Sequence, residues 1–380
     1  MDNNKKTFHR GIFGHDRLAW ILQNEHRGVE PMKKTLFWSM GIFVVLAGIS
    51  ATQDPVRTGS DFPRLQGPYL GQTPPAAGKA ALFASGIVST GMTERGLAAT
   101  KDGLEIFFEQ SPGGVVTIMT TRFIDGRWTE PVVAPFASDL KYFYFEPALS
   151  ADEKTIYFLT TRPREGESPK PGWGNQSIWA SDRGPGGRWG EPYDVGAPIN
   201  TGAGEFFPSL TNDGTLYFTR SKAAGDKPRI MRARRIDGRF QTPEALPETV
   251  HGKTDVYNAC IAPDDSYLIA CVAGRDDSLA PKRPNYYVFF RSPEGRWSEG
   301  LNLGPEVNFP SASAQAPYVT RDGRYLFFGS PVIRPFESTA SAPPTTRRLL
   351  EYYMGPQSGD SDVYWIETSF IEKLRSKARF

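Results

Sequence analysis

A short phrase returns four times along this sequence, at matching places in a longer unit. It reads GRWTEP at Gly126–Pro131, GRWGEP at Gly187–Pro192, GRFQTP at Gly238–Pro243 and GRWSEG at Gly295–Gly300. A second phrase alternates with it: TKDGLEIFF from Thr100, SADEKTIYF from Ser150, TNDGTLYF from Thr211, APDDSYLI from Ala262 and TRDGRYLFF from Thr320. Self-similarity at a near-fixed period means that one unit cannot bury its apolar face alone and stacks on its neighbours. It decides architecture before any single residue does.

The second copy shows what the unit is. Glu146–Ser150 reads as the end of a first strand and Ala151–Lys154 as a turn. Ile156–Thr161 alternates and is rich in β formers. A polar Pro/Gly loop follows, then a third strand over Ser177–Ser181. A fourth is expected from Trp189 through Pro192 toward Val195. Four antiparallel strands in a meander make a propeller blade. The turn Asp caps its own backbone and the following Gly accepts a positive φ. The aromatic of the GRW phrase is large enough to fill the wedge between blades. Aromatics at 13%, with 38 Gly and 32 Pro, suit short strands and tight turns.

Asp102, Asp152, Asp213, Asp264 and Asp322 mark five copies, so the expected fold is all-β, a five-bladed propeller. The fifth copy lacks a GRW phrase, and Lys79–Ser85 is free to supply its missing outer strand. That sharing removes an open sheet edge. A six-bladed ring is the alternative, but it needs a full extra blade from residues 53–93, where no turn phrase occurs. An amphipathic tail, Ser369–Lys377, ends the chain.

Ahead of the repeats, Met32-Lys33-Lys34 precedes an apolar run from Leu36 to Ala51, closed by small residues. Basic start, short apolar core and small residues describe a signal peptide. The run is short for a spanning helix, though an uncleaved anchor is the other reading. The expected organisation is 1–31 as a mis-assigned start or an extension, 32–51 as signal peptide, 52–68 as linker and 69–376 as propeller. The mature chain is then periplasmic or secreted, monomeric and without a membrane span.

Chemistry is sparse. The formal charge of +2 gives no footprint for nucleic acid. Cleavage would remove His9, His15 and His26 and leave His251, in a polar segment that reads as surface. No zinc site, cofactor motif, P-loop or G-x-S-x-G appears, so no metal or cofactor is expected. Cys260 and Cys271 flank one turn in a register that sets them diagonally, which favours free thiols over a disulfide.

The pattern S-x-D-G-x-x-[IL]-[YF]-F, then [IV]-[YW] and G-x-W-x-x-P, resembles the WD-like propeller repeat of the TolB type over residues 69–376. That resemblance implies an exported bacterial propeller that binds envelope proteins, or one fused to a peptidase or peptidoglycan-binding domain. No such fused domain is present in this sequence. The fourth copy departs from the pattern at Asp265 and at Gly300.

Propeller topology also gives a position for a site. First strands line the channel and start on the face that carries the loops between second and third strands. Eight residues before each turn Asp stand Glu94, Tyr144, Glu205, Val256 and Ala314, with Arg95, Glu146, Asp255, Asn258 and Gln315 close by. The candidate ligand-binding set is Glu94, Arg95, Glu146, Glu205, Asp255, Asn258 and Gln315. Around it, long loops carry Arg164, Lys170, Trp173, Arg220, Lys227, Arg229, Arg275, Lys282, Arg283, Arg347 and Arg348. Two functions fit. One is a binding or scaffold module for an envelope protein or glycan. The other is a glycoside hydrolase using two of Glu94, Glu146, Glu205 and Asp255 as acid and base or nucleophile.

Overall fold

The computed structural model describes residues 62–221, 227–280, 282–310, 313–337 and 343–380. The expected start site, signal peptide and most of the linker lie outside the described residues. Within Arg64–Phe380 the chain forms five antiparallel sheets whose first strands adjoin around a ring. The fold is a five-bladed β-propeller. The inner strands are Thr93–Ala99, Tyr144–Leu149, Glu205–Leu210, Asp255–Ile261 and Gln315–Val319, in blades 1 to 5.

The last blade is built from both parts of the chain. Its order is Ala81–Leu82, Ser358–Glu367, Tyr325–Ile333, Gln315–Val319. Ala81 pairs with Trp365 and Leu82 with Tyr364, as the missing outer strand required. Phe83, fully buried, packs edge-on against Phe327 and Trp365. Tyr69 adds ring contacts to Tyr325, Phe327 and Trp365. The tail folds as a helix over Ser369–Arg375, burying Ile371 in the same core as Tyr267 and Phe290.

The turn phrase acts as its chemistry predicts. Asp102, Asp152, Asp213 and Asp322 each accept from the hydroxyl two residues earlier and from the N–H two residues later. Ala262 has no hydroxyl, and Asp264 turns to Ser266 instead. The position after the Asp is left-handed in all five copies: Gly103, Glu153, Gly214, Asp265 and Gly323. Asp265 holds φ 64° where Gly would be easier. Its carboxylate meets the Tyr217 hydroxyl of blade 3 at 2.7 Å and pairs with Arg291, which gives the departure a use. Gly300 replaces Pro because a Cβ there would lie 2.7 Å from the Phe289 ring.

The GRW phrase behaves differently from the expected outer strand. Trp189 bridges to Arg183 and Trp297 to Arg291, prolonging the third strands as hairpins. The outer strands are separate two-residue pieces further on, such as Tyr193–Asp194. The hairpin turns the aromatic under the preceding blade before the chain crosses to the outer edge. Trp189 packs edge-on against Phe107 of blade 1, Phe240 against Tyr157 of blade 2 and Trp297 against Tyr217 of blade 3. An arginine covers each ring: Arg183 at 4.2 Å, Arg235 at 5.4 Å and Arg291 at 5.8 Å. Arg183 also reaches Glu105 of blade 1 at 2.6 Å.

Closure of the ring by the N-terminal strand has a direct test. Deleting residues 62–90 removes Tyr69, Ala81, Leu82 and Phe83 together. Loss of Phe83 alone should cost about 3–5 kcal/mol, and the bared edge of Ser358–Glu367 should drive aggregation. Calorimetry and light scattering would read this. An unchanged melting temperature would show that the ring closes without the strand.

Candidate functional site

Each inner strand carries one irregularity at the same place. Its pairing with the second strand shifts between Arg95/Ala98, Phe145/Ala148, Phe206/Ser209, Tyr257/Cys260 and Gln315/Tyr318. The residue inside each bulge is left-handed: Gly96, Glu146, Phe207, Asn258 and Ala316, with φ from 44° to 58°. The bulge turns an N–H out of the ladder, and a buried N–H needs an acceptor. In four blades a side chain of the preceding blade supplies it. Glu146 donates to Glu109 at 2.6 Å, Phe207 to Glu146 at 2.7 Å and Asn258 to Thr219 at 3.1 Å. Ala316 donates to the Cys271 sulfur. Glu109, Thr219 and Cys271 occupy equivalent second-strand positions.

This device draws together part of the expected site. Arg95 Nε donates to Glu109 Oε2 at 2.7 Å, and Glu109 Oε1 takes the Glu146 N–H. The Arg95 guanidinium lies 5.1 Å from the centre of the Phe145 ring. Trp173, 42% exposed, packs on the other residues of this corner, 5.1 Å from Phe145 and 6.1 Å from Phe143. Burial, and then the Glu109 carboxylate, push the Glu146 carboxyl well above its ordinary range, with Arg95 opposing them. Sequence reasoning missed Glu109, because it lies on a second strand.

Glu94 and Glu205 are elsewhere and occupied. Both are 0% exposed. Glu205 accepts from the Thr201 N–H at 3.1 Å and hydroxyl at 2.5 Å, and pairs with Arg220 at 3.0 Å. Glu94 accepts in the same way from Thr90, with Gln110 in place of the arginine. Each carboxylate ties down the loop that leads into its own strand. The matching phrase T-G-x-x-E, at Thr90–Glu94 and Thr201–Glu205, was the available signal for that role. Asp255 opens its strand opposite Ala273 and is half-buried. Asn258 and Gln315 are on inner strands, and their amide oxygens are buried with no hydrogen-bond partner in the described residues. The seven candidates therefore do not form one cluster; only Arg95 and Glu146 share a network.

The axis is crossed on the turn face by a residue the sequence did not single out. Arg321, from the blade 5 turn phrase, donates to the Leu210 carbonyl of blade 3 at 2.8 Å and to the Leu149 carbonyl of blade 2. The space beside it, lined by Glu146, Phe207, Ser209, Cys260, Tyr318 and Arg321 among others, holds about 30 Å³. That is room for water and not for a sugar ring.

Half of the basic rim is ion-paired among the described residues, with Arg220 on Glu205 and Arg347 on Glu351. Arg164 meets Glu167 at 2.5 Å, Arg229 meets Glu248 at 2.6 Å and Arg275 meets Asp277 at 2.9 Å. Cys260 and Cys271 are buried free thiols, as their diagonal register implied. His251 differs from expectation. It is 2% exposed, because the short helix Glu248–His251 packs it into the body, and burial lowers its pKa to about 4. Among the described residues no three His, Cys, Asp or Glu side chains are grouped to hold a metal, and no helix is long and apolar enough to cross a membrane.

Neither a protein-family model nor a curated protein matches this chain. Solved structures similar to it include TolB from Acinetobacter baumannii, at 14% identity and TM-score 0.38 over 73% of this chain and 55% of that one. The chain thus aligns with little more than half of TolB's length. A thermostable family-43 glycoside hydrolase has 10% identity and TM-score 0.44, over 74% of this chain and 92% of its own. An endo-arabinase from Bacteroides thetaiotaomicron has 16% identity and TM-score 0.40, over 65% and 91%. None of these values bears on ligand or reaction.

The buried acids predict a pH dependence. Burial raises Glu94 to about 8, against its bonds to Thr90 and Gln110, and raises Asp362 to about 7. Both lie above their unfolded values, so the folded state holds protons that the unfolded chain releases. Stability should be highest near pH 4–5 and fall as pH rises toward 8. Melting temperatures across pH 5–9 read this, and Glu94→Gln should flatten the curve above pH 6. A profile rising over that range would overturn the assignment.

Proposed function

We propose that this chain is an exported β-propeller acting as a binding module, which takes an envelope protein or a glycan on the face where the inner strands begin. The observation that carries this reading is the distribution of exposed apolar side chains. Of the thirteen exposed large apolar side chains among the described residues, Trp173, Leu279, Leu349, Leu350, Tyr353 and Met354 stand in second-to-third-strand connections on that face, and Ile333 ends a second strand there. Leu349, Leu350 and Tyr353 come from one surface helix, Thr346–Tyr353, which stands in the blade 5 connection. Neighbouring exposed apolar side chains, such as the three on this helix, mark interaction sites on folded proteins.

Two further points favour binding over carboxylate catalysis. Glu94, Glu146 and Glu205 are engaged in holding loops and bulges, and a hydrolytic pair must be free to meet substrate and water. The channel beside Glu146 is also too small for a sugar ring.

The test pairs two faces. Trp173→Ala combined with Leu350→Ser alters the proposed face, and Ile236→Ser alters the exposed third-to-fourth-strand hairpin on the other. Against a glycan array and a panel of purified envelope proteins, hits should weaken tenfold or more, about 1.4 kcal/mol, in the first variant only. Loss in Ile236→Ser alone would move the site to the opposite face.

Export rests on the basic start, apolar run and small residues over 32–51. N-terminal sequencing of protein released from expressing cells should begin near Thr52. A product that keeps Leu36–Ala51 would mean an anchor.

A further inference from the structure

Arg321 is an unusual group to find in the axis of the ring. It is a cation placed mostly out of water, and its two hydrogen-bond acceptors here are neutral carbonyls, Leu210 O and Leu149 O. Burial lowers its pKa, and no carboxylate forms an ion pair with it within the described residues. The equivalent positions of the other turn phrases are Lys101, Ala151, Asn212 and Pro263. Among the described residues none of these side chains bonds across the axis. Lys101 and Asn212 make backbone bonds to the adjacent turn, to Glu153 and Pro263. The span is thus a feature of one blade and not of the repeat.

The same side chain bounds the small axial cavity, and Cys260 bounds it too. The Cys260 sulfur takes the Val319 N–H at 3.3 Å and lies 3.8 Å from the Ser209 hydroxyl. Cys271, the other thiol, sits one level toward the mouth, where Ala316 and Arg95 face it. It does not line this cavity.

We propose that Arg321 is a plug: it seals the turn face of the channel, so that the interior is blind from that side and the Cys260 thiol is screened from solvent reagents. Its position fits the task. A guanidinium has several donors in a fixed plane and bonds two carbonyls on different blades at once, which the single ammonium of a lysine on a flexible stem does poorly. Its alkyl stem fills the opening while its head is held by the strands it closes against.

The two cysteines make the plug testable within one molecule. Native protein at pH 8.5 is treated with methyl methanethiosulfonate, and each cysteine is followed by peptide mass spectrometry. In the unaltered chain both thiols should react slowly. Arg321→Ala should speed modification of Cys260 by about tenfold or more, with Cys271 unchanged. Should Arg321→Ala fail to fold, Arg321→Gln serves, because glutamine is too short to span both carbonyls. An unchanged Cys260 rate in a folded variant would overturn the plug. So would an equal rise at both cysteines, since that reports a general loosening.

Discussion

The rest of this propeller depends on how the inner strands satisfy their free edges. An inner strand pairs on one side only, and the other side faces the axis. Five left-handed bulges each turn one N–H out of the ladder, and in four blades a side chain of the preceding blade receives it. The acceptor differs chemically from blade to blade: a carboxylate at Glu109, a hydroxyl at Thr219, a thiol at Cys271. Blade 2 has Leu159 in that position and no acceptor to offer. Glu146 takes over, donating its own N–H backward and accepting the Phe207 N–H forward. A carboxylate that looked catalytic by position is thereby part of the joint between three blades. The bulge also explains why Gly96 stands in blade 1, since a Cβ there would lie 1.9 Å from Glu109 Oε1.

This division separates what was legible in the sequence from what was not. The turn phrase and the GRW phrase act locally, so Asp102 or Asp322 reveals its bond partners within two residues. Blade number, and the stitching of the last blade by Ala81–Leu82, followed from counting such local signals. The bulges are not local. Gly96, Glu146, Phe207, Asn258 and Ala316 have no side-chain chemistry in common; they share only a backbone conformation imposed by the neighbouring blade. Glu109 and Arg321 were invisible for the same reason. Their partners are 37 residues away in one case and 111 and 172 in the other. The outer strand was misplaced because Trp189 looks like a β residue, and only packing against Phe107 reveals that it turns inward.

Electrostatics follow the same logic. Several charges that enter the body are joined to an opposite charge: Arg95 to Glu109, Arg220 to Glu205, Arg183 to Glu105, whereas Arg321 is held by carbonyls alone. A buried charge without such a partner would cost several kcal/mol. Outside are the connections, which lengthen without disturbing the ring. Blade 5 uses this freedom most, with strands of nine and ten residues and a helix between them. Ring and connections are therefore separable here, and change in the loops need not be felt in the joints.

The reach of Arg321 has a mechanical side. Seen down the axis, five wedges joined edge to edge form a pentagon, and a pentagon with yielding corners can shear without changing the length of any side. Two diagonals drawn from one corner divide it into triangles and remove that freedom. Blade 5 is adjacent to neither blade 2 nor blade 3, so the bonds from Arg321 to Leu149 and Leu210 are those two diagonals. The one blade assembled from distant parts of the chain is also the corner from which the frame is braced.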